Sequence, residues 1–151
     1  MDETYVKVAG RWRYLYRAVG QYGQVIDALL SEQRDTAAAR QFFTRALAHG
    51  PAPVEVSTDK AAPYLRVLDE LAPAALHVTE QYGNNRIEAD HGRLKARLRP
   101  MRGLKRLRSA AGIAAGHAFV QNLRRGHYDL ATDVSPALRL TKAFTELALA
   151  M

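Results

Sequence analysis

The sequence predicts one α/β domain, a mixed five-stranded sheet flanked by helices, and three observations carry that prediction. Three β-rich runs follow one another within residues 1–31. From residue 34 the hydrophobic period becomes helical, and short strands then alternate with helices. Finally, 151 residues with 48% hydrophobic and 25% charged side chains can bury one core and are not disordered.

"ETYVKV" and "WRYLYRAV", separated by "AGR", read as a β-hairpin, and "GQVIDALLS" as a third strand. "RDTAAARQFFTRALAHG" is an amphipathic helix, with Asp35 or Thr36 at its N-cap and Gly50 closing it. "PAPVEVSTDK" holds a short buried strand, and "KAAPYLRVLDELAP" a helix with Pro63 in its first turn. "ALHVTE" is a fifth strand. "NNRIEADHGRLKARLRP" is a helix capped by Asn84 or Asn85 and stopped at Pro100. "MRGLKRLR" is a loop, "SAAGIAAGHAFVQNLRRG" a helix and "SPALRLTKAFTELALAM" a terminal one. The expected division is a core over residues 1–125 and a tail with a terminal helix over 126–151.

Composition removes several functions. The absence of cysteine excludes disulfides, thiolate zinc sites and a cysteine nucleophile. No apolar run approaches the ~20 residues of a spanning helix. The acidic start "MDETYVKVAG" has no signal-peptide organisation, so a cytoplasmic location without membrane attachment is expected.

The net charge is +7, and it is concentrated. Residues 86–108 hold nine cations: Arg86, Arg93, Lys95, Arg97, Arg99, Arg102, Lys105, Arg106 and Arg108. Only Glu88 and Asp90 oppose them, and the rest of the chain carries thirteen charges of each sign. A localised excess is a footprint for a polyanion, whereas a plain solvated face would serve solubility alone.

Three carboxylates fall at element boundaries: Asp2 opening the first strand, Asp59 just past the fourth, and Glu88 one turn into the next helix. A pair of divalent ions can clamp both oxygens of an in-line phosphoryl displacement, and magnesium accepts carboxylate oxygens. Each also has a plainer explanation: a polar residue near an end, a helix cap and a first-turn acid favoured by the helix dipole. Spacing alone leaves the choice open. At about 100° per residue, Glu88, His91 and Lys95 share one helix face, while Asp90 is turned about 200° from Glu88. Gly92 beside that face costs roughly 1 kcal/mol of helix propensity and leaves room for a close approach.

"DETYVKVAGRWRYLYRAV", "TDKA" and "NNRIEADHGRLKARLRPMRGLKRLRSA" resemble, in this order, the catalytic core of the insertion-sequence-6 family of DDE transposases. The likeness runs from Asp2 to about Arg125. Its third block is the most specific, joining the glutamate to a lysine seven positions on and then to "MRGLK". The resemblance implies a ribonuclease-H-like fold with Asp2, Asp59 and Glu88 as a catalytic triad holding two Mg²⁺ or Mn²⁺ ions. It implies cleavage and strand transfer at insertion-sequence ends, on element and target DNA, by a homodimer or higher assembly. Arg86, His91 and the other basic residues of 86–108 are then the expected DNA contacts.

The sequence departs from the family in three places. The family's N-terminal helix-turn-helix region is expected to be missing, Gly20 replaces an aspartate, and the 28 residues between Asp59 and Glu88 make a shortened gap. The alternative reading is an inactive remnant that binds DNA nonspecifically through 86–108.

Other motifs read as structure. Glu88 and His91 match half of a Glu-x-x-His di-iron pattern, but the chain lacks the second copy. His117 reads as a packing residue. Trp12, Tyr14 and Tyr16 read as one packed row on a strand, with base stacking the lesser alternative.

Overall fold

A computed structural model describes residues 1–59, 62–79 and 85–151, with the backbone alone at 85–86. Its strands are β1 (Asp2–Val8), β2 (Arg11–Val19), β3 (Val25–Ser31), β4 (Glu55–Ser57) and β5 (Leu76–Val78). Its helices are α1 (Thr36–Leu47), α2 (Ala62–Leu71), α3 (Asn85–Leu98), α4 (Leu107–Arg125) and α5 (Arg139–Leu149), with a 3-10 turn at Arg99–Met101.

β1 and β2 form the expected hairpin, with Val8 opposite Arg11. Ala9 and Gly10 make its two-residue turn, both at positive φ (50° and 76°), which matches the right-handed twist of the strands. β3 adds antiparallel to β2, with a bulge at Ala18/Val19. β4 and β5 pair in parallel as a separate two-stranded ladder. The described strands thus fall into two sheets, not one continuous sheet of five. The Met1 nitrogen donates to the Ser57 carbonyl at 2.6 Å, so β1 meets β4 end to end and no ladder extends between them.

Strand alternation sorts the core. One face of the three-stranded sheet presents Tyr16, Ala18 and Leu29 to Ala39, Phe42, Phe43, Tyr64, Val67 and Leu68 of α1 and α2. The opposite face presents Val6, Val8, Leu15 and Leu30 to Leu94 of α3 and to Ala110 and Ala114 of α4. Small residues on α4 allow that helix to approach the sheet closely. A smaller cluster of Leu123, Ala131 and Ala143 docks α5 on α4, in the tail where a terminal helix was expected.

Local signals explain the helix ends. The Asp35 side chain accepts from Ala38 N at 2.8 Å, making it the N-cap of α1. α4 ends at Gly126, whose φ of 76° suits glycine. Asn84, proposed as a cap of α3, lies outside the described residues. The "MRGLKRLR" loop is anchored: Leu104 bridges Val8, and its carbonyl accepts from Ala9 N at 2.7 Å. α4 starts two residues earlier than the sequence pattern suggested, at Leu107, because Leu107 is already half-buried. Among the described residues no helix is long and apolar enough to cross a membrane.

Candidate active site

Asp2 opens β1 because its backbone pairs with Arg17 across the hairpin. Its Oδ1 accepts from Glu3 N at 2.8 Å, and the side chain is half-buried. Asp59 follows directly after β4. The ladder continues one residue past Ser57, since Thr58 N donates to Val78 O at 3.0 Å, and this fixes the start of the Asp59 loop. Thr58 is buried, and its hydroxyl lies 2.8 Å from the Asp59 carbonyl and 2.6 Å from His77 Nε2. Glu88 sits in the first turn of α3, exposed, where the helix dipole favours an anion.

The Asp2 carboxyl is raised above its ordinary pKa. Burial is the largest cause, opposed by the Glu3 N–H, and the negative charges of Asp59 and Glu88 both add to the rise. The charges of Asp59 and Glu88 are thus both felt at Asp2, at the start of β1. Arg34 Nη2 stands 3.9 Å from Asp59 Oδ2, and Arg34 also pairs with Glu3. Glu3 points to the other side of β1 and accepts from the Tyr64 hydroxyl. Among the described residues no three His, Asp or Glu side chains stand close enough to hold one metal ion. A carboxyl at Asp2 that feels the negative charges of Asp59 and Glu88 nevertheless suits a hard divalent cation, which would relieve that repulsion.

Asp90 and His91 have different surroundings from those the helix wheel suggested. Asp90 is fully buried and is the hub of two ion pairs, with Arg17 of β2 and with Arg125 Nη2 at 2.7 Å. Arg17 is itself fully buried, and Arg125 also donates to the Gly23 carbonyl at 2.7 Å. A sequence signal for this hub existed. Arg17 follows Leu15 at the same inward register of β2, and a charge on a buried strand face needs a partner. His91 is 5% exposed, and burial, followed by the charges of Arg17 and Lys95, lowers its pKa to about 4. The expectation of a DNA contact from His91 is corrected by this burial: α3 packs Ile87, Asp90, His91 and Leu94 against the fold. His117 is likewise buried, with its pKa lowered chiefly by burial.

The opposite flank of α3 faces solvent. Glu88, Gly92 and Lys95 lie along it, and a Cβ built on Gly92 would meet nothing within 4 Å. Arg93, Lys95, Arg97, Arg99, Arg102, Lys105, Arg106 and Arg108 are all exposed. Among the described residues none of these eight forms an ion pair. The Arg86 side chain lies outside the described residues.

The fold is ribonuclease-H-like, that of integrase catalytic cores. The HTLV-2 integrase catalytic core domain in complex with magnesium (trimeric form) superposes with a TM-score of 0.59 at 15% identity, covering 81% of this chain and 82% of that one. The catalytic core domain of BIV integrase gives 0.56 at 14% identity, covering 97% and 96%. A family model described as a DDE domain, of the IS240 transposases, matches residues 1–127. The transposase for insertion sequence-like element IS431mec of Staphylococcus aureus strain Mu50 is 33% identical over 131 residues, covering 83% of this chain. The Staphylococcus aureus transposase for element IS257 in transposon Tn4003 matches equally well. The chain belongs to the insertion-sequence-6 family of DDE transposases. It spans 58% of the length of these curated relatives.

Proposed function

We propose that this chain is the catalytic core of a DNA transposase that cleaves phosphodiesters and transfers strands at insertion-sequence ends. Asp2, Asp59 and Glu88 are the residues that would hold two Mg²⁺ or Mn²⁺ ions. Such a pair, when bound, neutralises phosphoryl charge and activates the attacking water or 3′-hydroxyl. The observation that carries this reading is the 2.6 Å bond from Met1 N to Ser57 O, which sets the start of β1, with Asp2, against the end of β4, just before Asp59.

The protein's own groups then position the DNA. Lys95 lies about 10 Å along α3 from Glu88 at 1.5 Å per residue, within reach of a phosphate near the scissile one. Arg93, Arg97, Arg99, Arg102, Lys105, Arg106 and Arg108 are exposed cations that would hold backbone without reading sequence. Catalysis of this kind is mostly positioning and charge neutralisation. The DNA partners are the element ends and a target, and the working form on DNA is a dimer or larger.

A second reading, a remnant that binds DNA without cutting it, rests on one observation: the eight exposed cations between Arg93 and Arg108, which need no metal to hold phosphate. One assay separates the two. Mg²⁺-dependent nicking and joining of an end-containing oligonucleotide, scored as separate products and abolished by Glu88→Gln, supports the transposase core. Binding without either product, steeply salt-dependent and indifferent to divalent ions, supports the remnant.

A further inference from the structure

β1 is an edge strand of its sheet, and a groove of about 900 Å³ runs along its outer side toward the C-terminal end of α3. One wall is aromatic. Tyr5 lies opposite Tyr14, and Lys7 opposite Trp12, so strand alternation puts all four side chains on one face. The Tyr5 and Tyr14 rings are 5.4 Å apart and tilted by 59°. α1 and α2 cover this face at Tyr16, which is fully buried, and reach in part to Tyr14. Toward the hairpin turn the cover ends, leaving Tyr5 45% and Trp12 61% exposed. The Lys7 ammonium stands 5.6 Å from the Trp12 ring centre, a cation over the indole.

The other wall is cationic: Lys95 and Arg99 reach the groove from α3 and the turn that follows it. Exposed, mutually unsaturated rings beside unpaired cations are a mismatch for a protein interior and a match for nucleic acid. An unpaired base offers a π-face to stack on those rings, and its phosphates suit Lys7, Lys95 and Arg99. Duplex DNA offers no free base face, so the chemistry selects a strand with an unstacked nucleotide. The groove also continues the flank that carries Glu88, Gly92 and Lys95. The ~10 Å from Glu88 to Lys95 corresponds to about three stacked nucleotides at 3.4 Å per step.

We infer that this aromatic and basic groove binds an unpaired nucleotide of a single DNA strand, a few positions from the scissile phosphate. This inference rests on the DNA-cutting reading and adds a site for single-stranded substrate to it. Trp12 is the chain's one tryptophan, so its fluorescence reports the groove directly. The 151-residue chain is titrated with oligothymidylate and with a blunt duplex of equal length. The strand should quench Trp12, and the duplex should bind with less change in the Trp12 signal.

Tyr5→Ala should weaken strand binding about tenfold and leave duplex binding within about twofold; Tyr5→Phe, which keeps the ring, should restore it. Unaltered thermal melting of both variants separates a lost stacking surface from a lost fold. Duplex binding with a steep salt slope, joined to strand binding indifferent to Tyr5→Ala, overturns the groove and leaves the DNA reading intact. No binding to either DNA overturns both. A Trp12 shift that grows with protein concentration in the absence of DNA assigns the groove to a second copy of the chain and overturns the inference.

Discussion

Replacing Asp90 with Asn removes the hub that ties α3 to β2 and α4. In the folded protein Arg17 and Asp90 are both fully buried, and Arg17 has its pKa lowered chiefly by that burial. Removing one partner of such a pair strands the other charge out of water, at a cost of about 3–5 kcal/mol. For a chain of this length each kcal/mol moves the melting temperature by about 2–4 °C, so a drop of roughly 6–20 °C is expected. Arg125 contributes little to the loss, because its side chain is 25% exposed and keeps its bond to the Gly23 carbonyl. The double variant Arg17→Met with Asp90→Leu fills the same space without charge and should recover to within about 1 kcal/mol of the parent. Calorimetric melting of the parent, the single and the double variant reads all three. A single variant that melts within about 3 °C of the parent refutes the hub, as does a double variant no better than the single.

Three further expectations concern the same helix and its basic extension. In the unfolded chain His91 takes up a proton near pH 6.5, but in the folded protein it does so only near 4. The unfolded state thus binds more protons in that window, and stability should fall from pH 6.5 toward 4 by at most about 3 kcal/mol. His117 is shifted in the same direction and adds to the trend, and denaturant midpoints across the range measure it. Gly92→Ala should stabilise α3 by roughly 1 kcal/mol, since its Cβ meets nothing in the fold, yet should weaken DNA binding; calorimetry and anisotropy titration read the two effects. Replacing Arg102, Lys105 and Arg106 by Gln should flatten the logarithmic salt dependence of duplex binding by about three; an unchanged slope would mean that these side chains do not meet phosphate.

The parts legible in the sequence are those that local rules determine. The hairpin follows from alternation and from Ala9-Gly10, α1 from Asp35 and its hydrophobic period, and the cationic surface from the density of Lys and Arg. Contacts between distant segments were not legible. Arg17, Asp90 and Arg125 meet from three elements, whereas a helix wheel shows only that Asp90 is turned away from Glu88. The same packing buries His91, which a helix wheel drawn from Glu88 placed on the exposed flank. The aromatic row also changes character along its length, from buried Tyr16 to exposed Trp12, because α1 and α2 cover only one end. The separation of β4 and β5 from the main sheet depends on where β1 begins relative to β4, which no local pattern encodes. The three carboxylates were singled out by resemblance, since each alone fits an ordinary cap or surface acid.

Mn²⁺ binding to the 151-residue chain tests, without requiring turnover, whether Asp2, Asp59 and Glu88 act as one cation site. Electron paramagnetic resonance of free Mn²⁺ should show saturable uptake by the parent, weakened at least tenfold by each of Asp2→Asn, Asp59→Asn and Glu88→Gln. Uptake as tight in any one of these variants as in the parent would contradict the shared site.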